Sequence, residues 1–386
     1  MLPFSLFIFI YFATLLPSPF AIAQLTTCSG IVPMNYRNDK ISITDFGGIG
    51  DGRTLNTKAF RAAIYRIQHL KRRGGTLLYI PPGVYLTESF NLTSHMTLYL
   101  AKDAVIKAVQ GSSNWPVVAP LPSYGRGRER PGGRYVSFIH GDGVHDVVIT
   151  GENGTIDGQG DAWWNMWRTG TLKFTRPNLV EFINSYDIII SNVRFLNSPF
   201  WNIHPVYCSS YDITIRRVSG SSPFAGVAVG SETSGGVANV LAEHLNFYDM
   251  GIGINIKTNI GRGGFIKNIT VSNVYMERSR KGLKIAGDTG DHPDDKFDPN
   301  ALPIVKDITI KNVWGVNVQQ AGSIYGLRNS PFTGICLSNI HLRGATRPRS
   351  VPWTCSYVSG AALLVSPWPC SALTSTQQDD SCSANL

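Results

Sequence analysis

The chain has 386 residues, 39 of them glycine, and charged side chains occupy 16% of its positions. Abundant glycine with modest charge indicates a β-rich protein with many tight turns, and argues against a helical one. The net charge of +9 at pH 7 favours a polyanionic partner through long-range attraction. No basic run with interleaved aromatic residues occurs, and no nucleic-acid-binding motif, so we expect no nucleic acid partner.

The N-terminal residues 2–23 carry no charged side chain and end in the small-x-small sequence Ala21-Ile22-Ala23. This pattern is typical of a cleaved secretory signal. Pro17 and Pro19 interrupt the apolar run, which argues against a membrane anchor. We therefore predict a signal peptide at residues 1–23, a secreted, extracellular mature chain with no membrane partner, and uronic acid polymers as the polyanion.

Secretion makes the six cysteines candidates for disulfide bonds, although the sequence does not choose among their pairings. They are Cys28, Cys208, Cys336, Cys355, Cys370 and Cys382. Their spacing shows no zinc-binding pattern. Asn91, Asn153 and Asn268 each begin an N-glycosylation sequon, which predicts a glycoprotein.

One short pattern recurs along the chain: Asp, Asn or Gly, then alternating Val, Ile or Thr, then a polar residue and a second apolar stretch. It begins at Asp146, Asp187, Asp212, Asn239, Asn268, Asp307 and Gly334. Alternation with a period of two predicts strands, and strands this short bury a face only when stacked coil upon coil. A β-sandwich is the alternative, but the regularity of the repeat and the scarcity of hairpin turns such as Asn-Gly disfavour it.

The polar residue within this repeat is often asparagine, at Asn192, Asn273, Asn312 and Asn339. We predict that these four side chains lie at the bend after a strand. Asparagine tolerates a left-handed backbone conformation there and can hydrogen-bond to the main chain.

The N-terminal part has helical periodicity, with Phe60, Ile64, Ile67 and Leu70 on one face. We predict a short amphipathic helix that caps the open end of the solenoid and protects its first coil. Residues 24–386 are predicted to form one domain, with a polar tail from about residue 371.

Several longer motifs resemble one family in that family's order. They are Asp45–Phe60, Gly154–Gly160 followed by Trp163 and Trp164, Asn197–His204, and the run from Gly220 to Thr258. Together they resemble plant members of the polygalacturonase family, the pectin-degrading glycoside hydrolases. The resemblance implies a single-stranded right-handed parallel β-helix and inverting hydrolysis of α-1,4-linked galacturonic acid in the cell wall. In that chemistry one carboxylic acid protonates the leaving oxygen and a second carboxylate activates water.

Members of this family take these carboxylates from an Asn-Thr-Asp motif and a Gly-Asp-Asp motif, and this chain contains neither. By family order both motifs fall between Cys208 and Gly220, where only 11 residues lie and Asp212 is the single carboxylate. About two coils of solenoid are missing here. Each coil contacts only its neighbours, so we expect the fold to survive and the hydrolysis to be weak or lost.

Three residues are candidates for the site. Lys257 matches the lysine of the family's Arg-Ile-Lys motif, which binds a substrate carboxylate, whereas Asn255 replaces the arginine. Arg262 is a candidate for a second uronate, and Glu232 for a stand-in catalytic carboxylate where the family has Gly-His-Gly. The structural alternatives are a solvated strand-end lysine, a solvated turn and a loop residue that accepts backbone hydrogen bonds.

The acidic segment Gly287–Asp295 has oxygen ligands of the kind that calcium prefers, but no EF-hand spacing, and we expect a solvated loop. We predict no metal, no cofactor and a monomer. Three hypotheses for function remain: a polygalacturonase-type hydrolase, a non-catalytic pectin-binding wall protein and a pectate-lyase-like eliminase. The sequence leaves open whether the chain is an active enzyme, whether it acts in the endo or exo mode, and whether it tolerates methyl esters.

Overall fold

A computed structural model describes residues 37–70, 72–122, 132–208, 213–233, 235–290, 297–344, 352–373 and 382. The signal peptide predicted at residues 1–23 lies outside these ranges, as do Asp212 and most of the predicted polar tail. All described residues belong to one compact unit, Val32–Leu386. The domain boundaries that we derived from the sequence stay a prediction.

Within the described residues, two α-helices, α1 at Thr57–Leu70 and α2 at Asp161–Arg168, accompany a large set of short strands. In chain order the strands are β1 Asp39–Ser42, β2 Asp51–Leu55, β3 Thr76–Ile80, β4 Gly83–Thr87, β5 Phe90–Asn91, β6 Met96–Leu100, β7 Ala104–Ala108, β8 Val117–Val118, β9 Arg134–Tyr135, β10 Ile139–Asp142, β11 His145–Gly151, β12 Gly154–Asp157, β13 Val180–Ile183, β14 Tyr186–Leu196, β15 Ile203–Val206, β16 Ile213–Ser221, β17 Ala225–Val229, β18 Val237–Tyr248, β19 Ile252–Lys257, β20 Phe265–Glu277, β21 Lys281–Ala286, β22 Ile304–Val316, β23 Gln320–Tyr325, β24 Phe332–Arg343, β25 Trp353–Ser356 and β26 Val358–Ser366.

The strands stack in parallel ladders in which each strand pairs with its counterpart one coil later. The longest ladder runs β1-β3-β6-β11-β14-β16-β18-β20-β22-β24-β26, and β2, β4, β7 and β12 form a branch that joins it at β14. A further face of the solenoid is formed by the ladders β5-β10-β13-β15 and β17-β19-β21-β23-β25. Among the described strands only β8 and β9 pair antiparallel. The molecule is therefore the predicted all-β solenoid, a parallel β-helix.

The core is a stack of aliphatic side chains inside the coils. Ile190, Ile215, Ala242, Val271 and Ile310 occupy the same position in successive strands of the long ladder, and all are buried. Each coil contributes one layer, and burial of these layers is the main stabilising contribution to the fold.

The asparagines predicted at the bends adopt the left-handed conformation, with φ of 52° at Asn192, 53° at Asn273, 54° at Asn312 and 51° at Asn339. Their amides also form a ladder along the solenoid: Asn312 Nδ2 donates to Asn273 Oδ1 at 3.1 Å, and Asn339 Nδ2 donates to Asn312 Oδ1 at 2.8 Å. The left-handed conformation is therefore confirmed, but each asparagine lies within a strand (β14, β20, β22 or β24) instead of after its end. The side chains of Asn273, Asn312 and Asn339 hydrogen-bond to one another between coils, where bonds to the main chain were predicted.

Helix α1 contains all four residues of the predicted apolar face. Phe60, Ile64 and Ile67 are buried, and Phe60 stacks on Phe90 of β5 with ring centroids 4.6 Å apart. Leu70, the last residue of the helix, is 48% exposed, so the apolar face is buried only as far as Ile67. No helix in the described part of the chain is long and apolar enough to cross a membrane.

Two disulfide bonds, Cys336–Cys382 and Cys355–Cys370, lie in the C-terminal coils. Cys208 is a thiol, and its burial raises its pKa. Cys28 lies outside the described residues.

One face of the solenoid is interrupted between β15 and β17, the region where the sequence analysis predicts that two coils are missing. The long ladder is continuous in this region, with Ile190 of β14 paired to Ile215 of β16. On the other face, β15 ends one ladder and β17 begins the next, and we call the gap between these two strands the seam. A cavity of about 310 Å³ opens there, with Phe195, Phe247 and Met250 among its lining residues.

Candidate functional site

The predicted substrate-binding lysine lies beside the seam. Lys257 is the last residue of β19, is half-buried, and places its Nζ 4.9 Å from the centroid of the Trp201 ring. Trp201 precedes β15, on the upstream side of the seam. The contact therefore brings together residues from both sides of the seam.

Glu232 and Arg262 lie in the turns that follow β17 and β19, and they form an ion pair between Oε2 and Nη1. Both are buried, with exposed fractions of 9% for Glu232 and 2% for Arg262. Each charge compensates the burial of the other. The structure thus brings two of the three predicted site residues together, with their charged groups directed at each other.

Glu181, in the middle of β13, is a buried carboxylate that the sequence analysis missed. Its side chain is fully buried and receives Arg134 Nη1 at 2.7 and 2.9 Å, His140 Nδ1 at 3.1 Å, His204 Nδ1 at 2.9 Å and Asn178 Nδ2 at 3.0 Å. His140, Glu181 and His204 stand in register on β10, β13 and β15. The carboxylate selects the Nδ1–H tautomer of both imidazoles.

Several effects act on the acidity of Glu181. Burial alone would raise its pKa, but the hydrogen bonds from His140 and His204, together with the charge of Arg134, hold that pKa well below its usual range. The carboxylate is therefore ionised and saturated with donors. It has no proton to donate to a leaving group and no exposed oxygen with which to activate water.

A row of cations continues downstream of the seam. Lys284 of β21 stands in register with Asn255 of β19 and with Ser323 of β23. Lys281 Nζ donates to Ser323 Oγ at 2.9 Å, and burial followed by the charge of Lys284 lowers the pKa of Lys281. Together with Lys257 these lysines give the downstream ladder a positively charged surface. Lys281 and Lys284 were missed in the sequence because no family motif contains them.

Within the described residues no cluster of His, Cys, Asp and Glu side chains is suited to hold a metal ion. The acidic segment Gly287–Asp295 that we considered for calcium is described only up to residue 290.

The comparison with protein families and known proteins agrees with this architecture. The sequence profile of the glycosyl hydrolases family 28 matches residues 127–223 and 219–366. A protein named "Probable polygalacturonase" from Vitis vinifera is 41% identical to this chain, over 88% of this chain and 82% of its own. The chain belongs to glycosyl hydrolase family 28. A polygalacturonase from Persea americana is 23% identical over 85% of this chain and 79% of its own.

Solved structures support the fold of this family 28 protein. An exopolygalacturonase from Thermotoga maritima superposes with a TM-score of 0.59 at 21% identity, covering 87% of this chain and 93% of its own. A polygalacturonase from Erwinia carotovora has a TM-score of 0.56 at 19% identity, covering 86% and 99%. The solenoid is therefore the right-handed parallel β-helix that the motifs predict.

Proposed function

We propose that this family 28 protein binds galacturonan in the plant cell wall and hydrolyses it weakly or not at all. The observation that carries the proposal is the seam, where the ladder β5-β10-β13-β15 ends and β17 begins a separate one. The family's Asn-Thr-Asp and Gly-Asp-Asp motifs belong at this place by family order, and neither occurs in the sequence.

The comparisons support a loss of chain at the seam. The two segments matched by the family profile meet at residues 219–223, close to the start of β17. The alignment with the Vitis vinifera relative spans 400 positions, whereas 88% of this chain is about 340 residues. About 60 positions of the relative therefore have no counterpart here, which is the length of roughly two solenoid coils.

The two most buried carboxylates of the described residues are poorly suited to replace the missing ones. Inverting hydrolysis needs one protonated carboxyl group and one carboxylate with access to water, on opposite sides of the glycosidic bond. Glu232 is paired with buried Arg262, and Glu181 is ionised and enclosed by donors. These are the two carboxylates of the described chain that are less than a tenth exposed. Their arrangement favours structural roles.

Binding has stronger support than hydrolysis. Lys257, Lys281 and Lys284 lie on two consecutive strands of the downstream ladder, and the chain carries a net charge of +9. A lysine beside a uronate gains a charge-assisted hydrogen bond, and the net charge attracts the polymer over longer distances. The relatives named above are polygalacturonases, so the eliminase hypothesis gains no support.

Secretion to the cell wall, N-glycosylation and a monomeric state belong to the same proposal. The three sequon asparagines Asn91, Asn153 and Asn268 are exposed on the solenoid, where a glycan can be accommodated.

Two assays on the purified mature chain test the proposal: retention on insoluble polygalacturonate, and release of reducing ends from the soluble polymer. We expect retention that weakens with added salt, with release no higher than for heat-inactivated protein. Release well above that background would refute the loss of hydrolysis. Absence of retention at low salt would refute the binding function.

A further inference from the structure

Aromatic side chains from both sides of the seam meet at its surface. Phe224, just before β17, stacks on Trp164 of α2 with ring centroids 5.3 Å apart and an interplanar angle of 23°. Phe224 also packs edge-to-face against Trp201 at 6.2 Å. Trp167 lies edge-to-face with Trp164 at 5.9 Å. We call these four residues the aromatic platform.

One side of the aromatic platform packs on a buried arginine, and the other side is exposed to solvent. The Arg176 guanidinium lies 3.6 Å from the centroid of the Trp164 ring, and its Nη1 donates to the carbonyl oxygen of Pro199 at 2.8 Å. Arg176 is only 1% exposed, whereas Phe224 is 39% and Trp167 41% exposed. Exposed aromatic rings on an immobilised base are a pre-organised surface for a ligand with an apolar face.

A cation lies at one side of the platform. Lys257 Nζ is 4.9 Å from the centroid of the Trp201 ring, and Trp201 is itself in contact with Phe224. A ligand that satisfies both features has a flat apolar face for the rings and an anionic group for the ammonium. A pyranose ring that carries a carboxylate has both, since its axial C–H groups face an aromatic ring and its carboxylate accepts from lysine.

We propose that the aromatic platform and Lys257 together form a binding position for one uronic acid unit of an acidic polysaccharide. The inference rests on the proposed function, because it takes galacturonan as the ligand. The position is composite: Trp164, Trp167 and Trp201 precede the seam, and Phe224 and Lys257 follow it. It is formed by the direct restacking of the two parts of the solenoid, so the same shortening that removes the catalytic motifs creates a new contact surface.

Titration calorimetry with an oligogalacturonate at low salt tests this position. Phe224→Leu keeps an apolar side chain at the seam but removes the ring, and Trp167→Ala removes an exposed ring. We expect each to weaken binding about three- to tenfold. Phe224→Tyr keeps the ring and should bind within about twofold of the wild type. The matched control is Trp314→Ala, which removes a ring that is 44% exposed on the long ladder and should leave affinity unchanged.

The outcomes separate this inference from the function on which it rests. If the wild type does not bind the oligogalacturonate, the proposed function is wrong. If the wild type binds, and Phe224→Leu and Trp167→Ala bind equally well with unchanged melting temperatures, the platform has no role and the inference alone is wrong. If Phe224→Leu fails to fold, the affinity of Trp167→Ala for the oligogalacturonate decides whether the platform contributes to binding. A neutral galactose oligomer should bind at least about tenfold more weakly than the oligogalacturonate, and equal binding would exclude a role for the uronate carboxylate.

Discussion

Replacing Glu181 by glutamine should destabilise the upstream part of the solenoid strongly. The carboxylate is fully buried and compensates Arg134, whose side chain is 11% exposed, while it also accepts from His140 and His204. Glutamine has nearly the same shape but no charge, and its amide group would face N–H donors. Removing one partner from a buried ion pair lowers the free energy of unfolding by about 3–5 kcal/mol.

Thermal unfolding followed by circular dichroism measures this effect. For a chain of this size, with an unfolding entropy of about 2.1 cal/mol/K per residue, a loss of that magnitude corresponds to a decrease in melting temperature of roughly 4–7 °C. The matched control is Glu277→Gln, because Glu277 is 37% exposed and pairs with exposed Arg278. Such surface pairs contribute at most about 1 kcal/mol.

The effect also has a defined pH dependence. The pKa of Glu181 is lower in the folded chain than its ordinary value of 4.5, so the stabilisation is fully present above that value and is lost as the pH falls below it. The difference in stability between wild type and Glu181→Gln should therefore be constant near neutral pH and shrink in acid. If Glu181→Gln melts no lower than Glu277→Gln at neutral pH, the buried network around Glu181 does not stabilise the fold.

Three further predictions concern other parts of the molecule. Arg262→Ala and Glu232→Ala should each lower the free energy of unfolding by about 3–5 kcal/mol, measured by denaturant unfolding. In a double-mutant cycle the double variant should lose less than the sum of the two single losses, and simple additivity would exclude coupling between the two side chains. Lys257→Met should weaken retention on polygalacturonate at least about tenfold and make that retention less dependent on salt, with no change in melting temperature. Unaltered retention would show that Lys257 is not part of the binding site. Asn312→Ala should destabilise the solenoid by roughly 1–2 kcal/mol, because it removes the amide ladder and places alanine in a left-handed conformation. Asn312→Gly also removes the amide but tolerates that conformation, so it should be less destabilising than Asn312→Ala. Equal melting temperatures of the two variants would show that backbone conformation is not the cause.

The repetitive part of the fold could be predicted because each coil repeats the same local physics. Alternating β-branched residues indicate strands, and the asparagines at Asn192, Asn273, Asn312 and Asn339 have the predicted left-handed conformation, with φ between 51° and 54°. These features depend on a few neighbouring residues, so one sequence is sufficient. Leu70 marks the limit of such predictions. The periodicity identifies the apolar face of α1, but it does not indicate how much of that face the rest of the fold buries.

The buried network around Glu181 could not be predicted, because it depends on register between coils of unequal length. His140 precedes Glu181 by 41 residues, and His204 follows it by 23. No fixed period relates the three positions, so they align only when the length of every turn is known. The contact between Glu232 and Arg262 likewise joins residues 30 apart through two turns of irregular sequence.

The contacts across the seam were beyond sequence reasoning for a different reason. The family motifs that contain Trp201 and Phe224 are separated, in family order, by the two aspartate motifs, so nothing in the family pattern suggests that these two rings touch. In the structure the long ladder continues directly from β14 to β16, and the two rings lie 6.2 Å apart.

The most direct test of the account restores the missing coils. A variant that carries two coils with the Asn-Thr-Asp and Gly-Asp-Asp motifs of a family 28 member, inserted between Cys208 and Ile213, would be compared with the present chain for reducing-end release from polygalacturonate. We expect clear turnover by the extended, folded variant and little or none by the present chain. Comparable turnover by the two chains, or no turnover by a folded extended variant, would contradict the claim that this solenoid lost its chemistry with those coils.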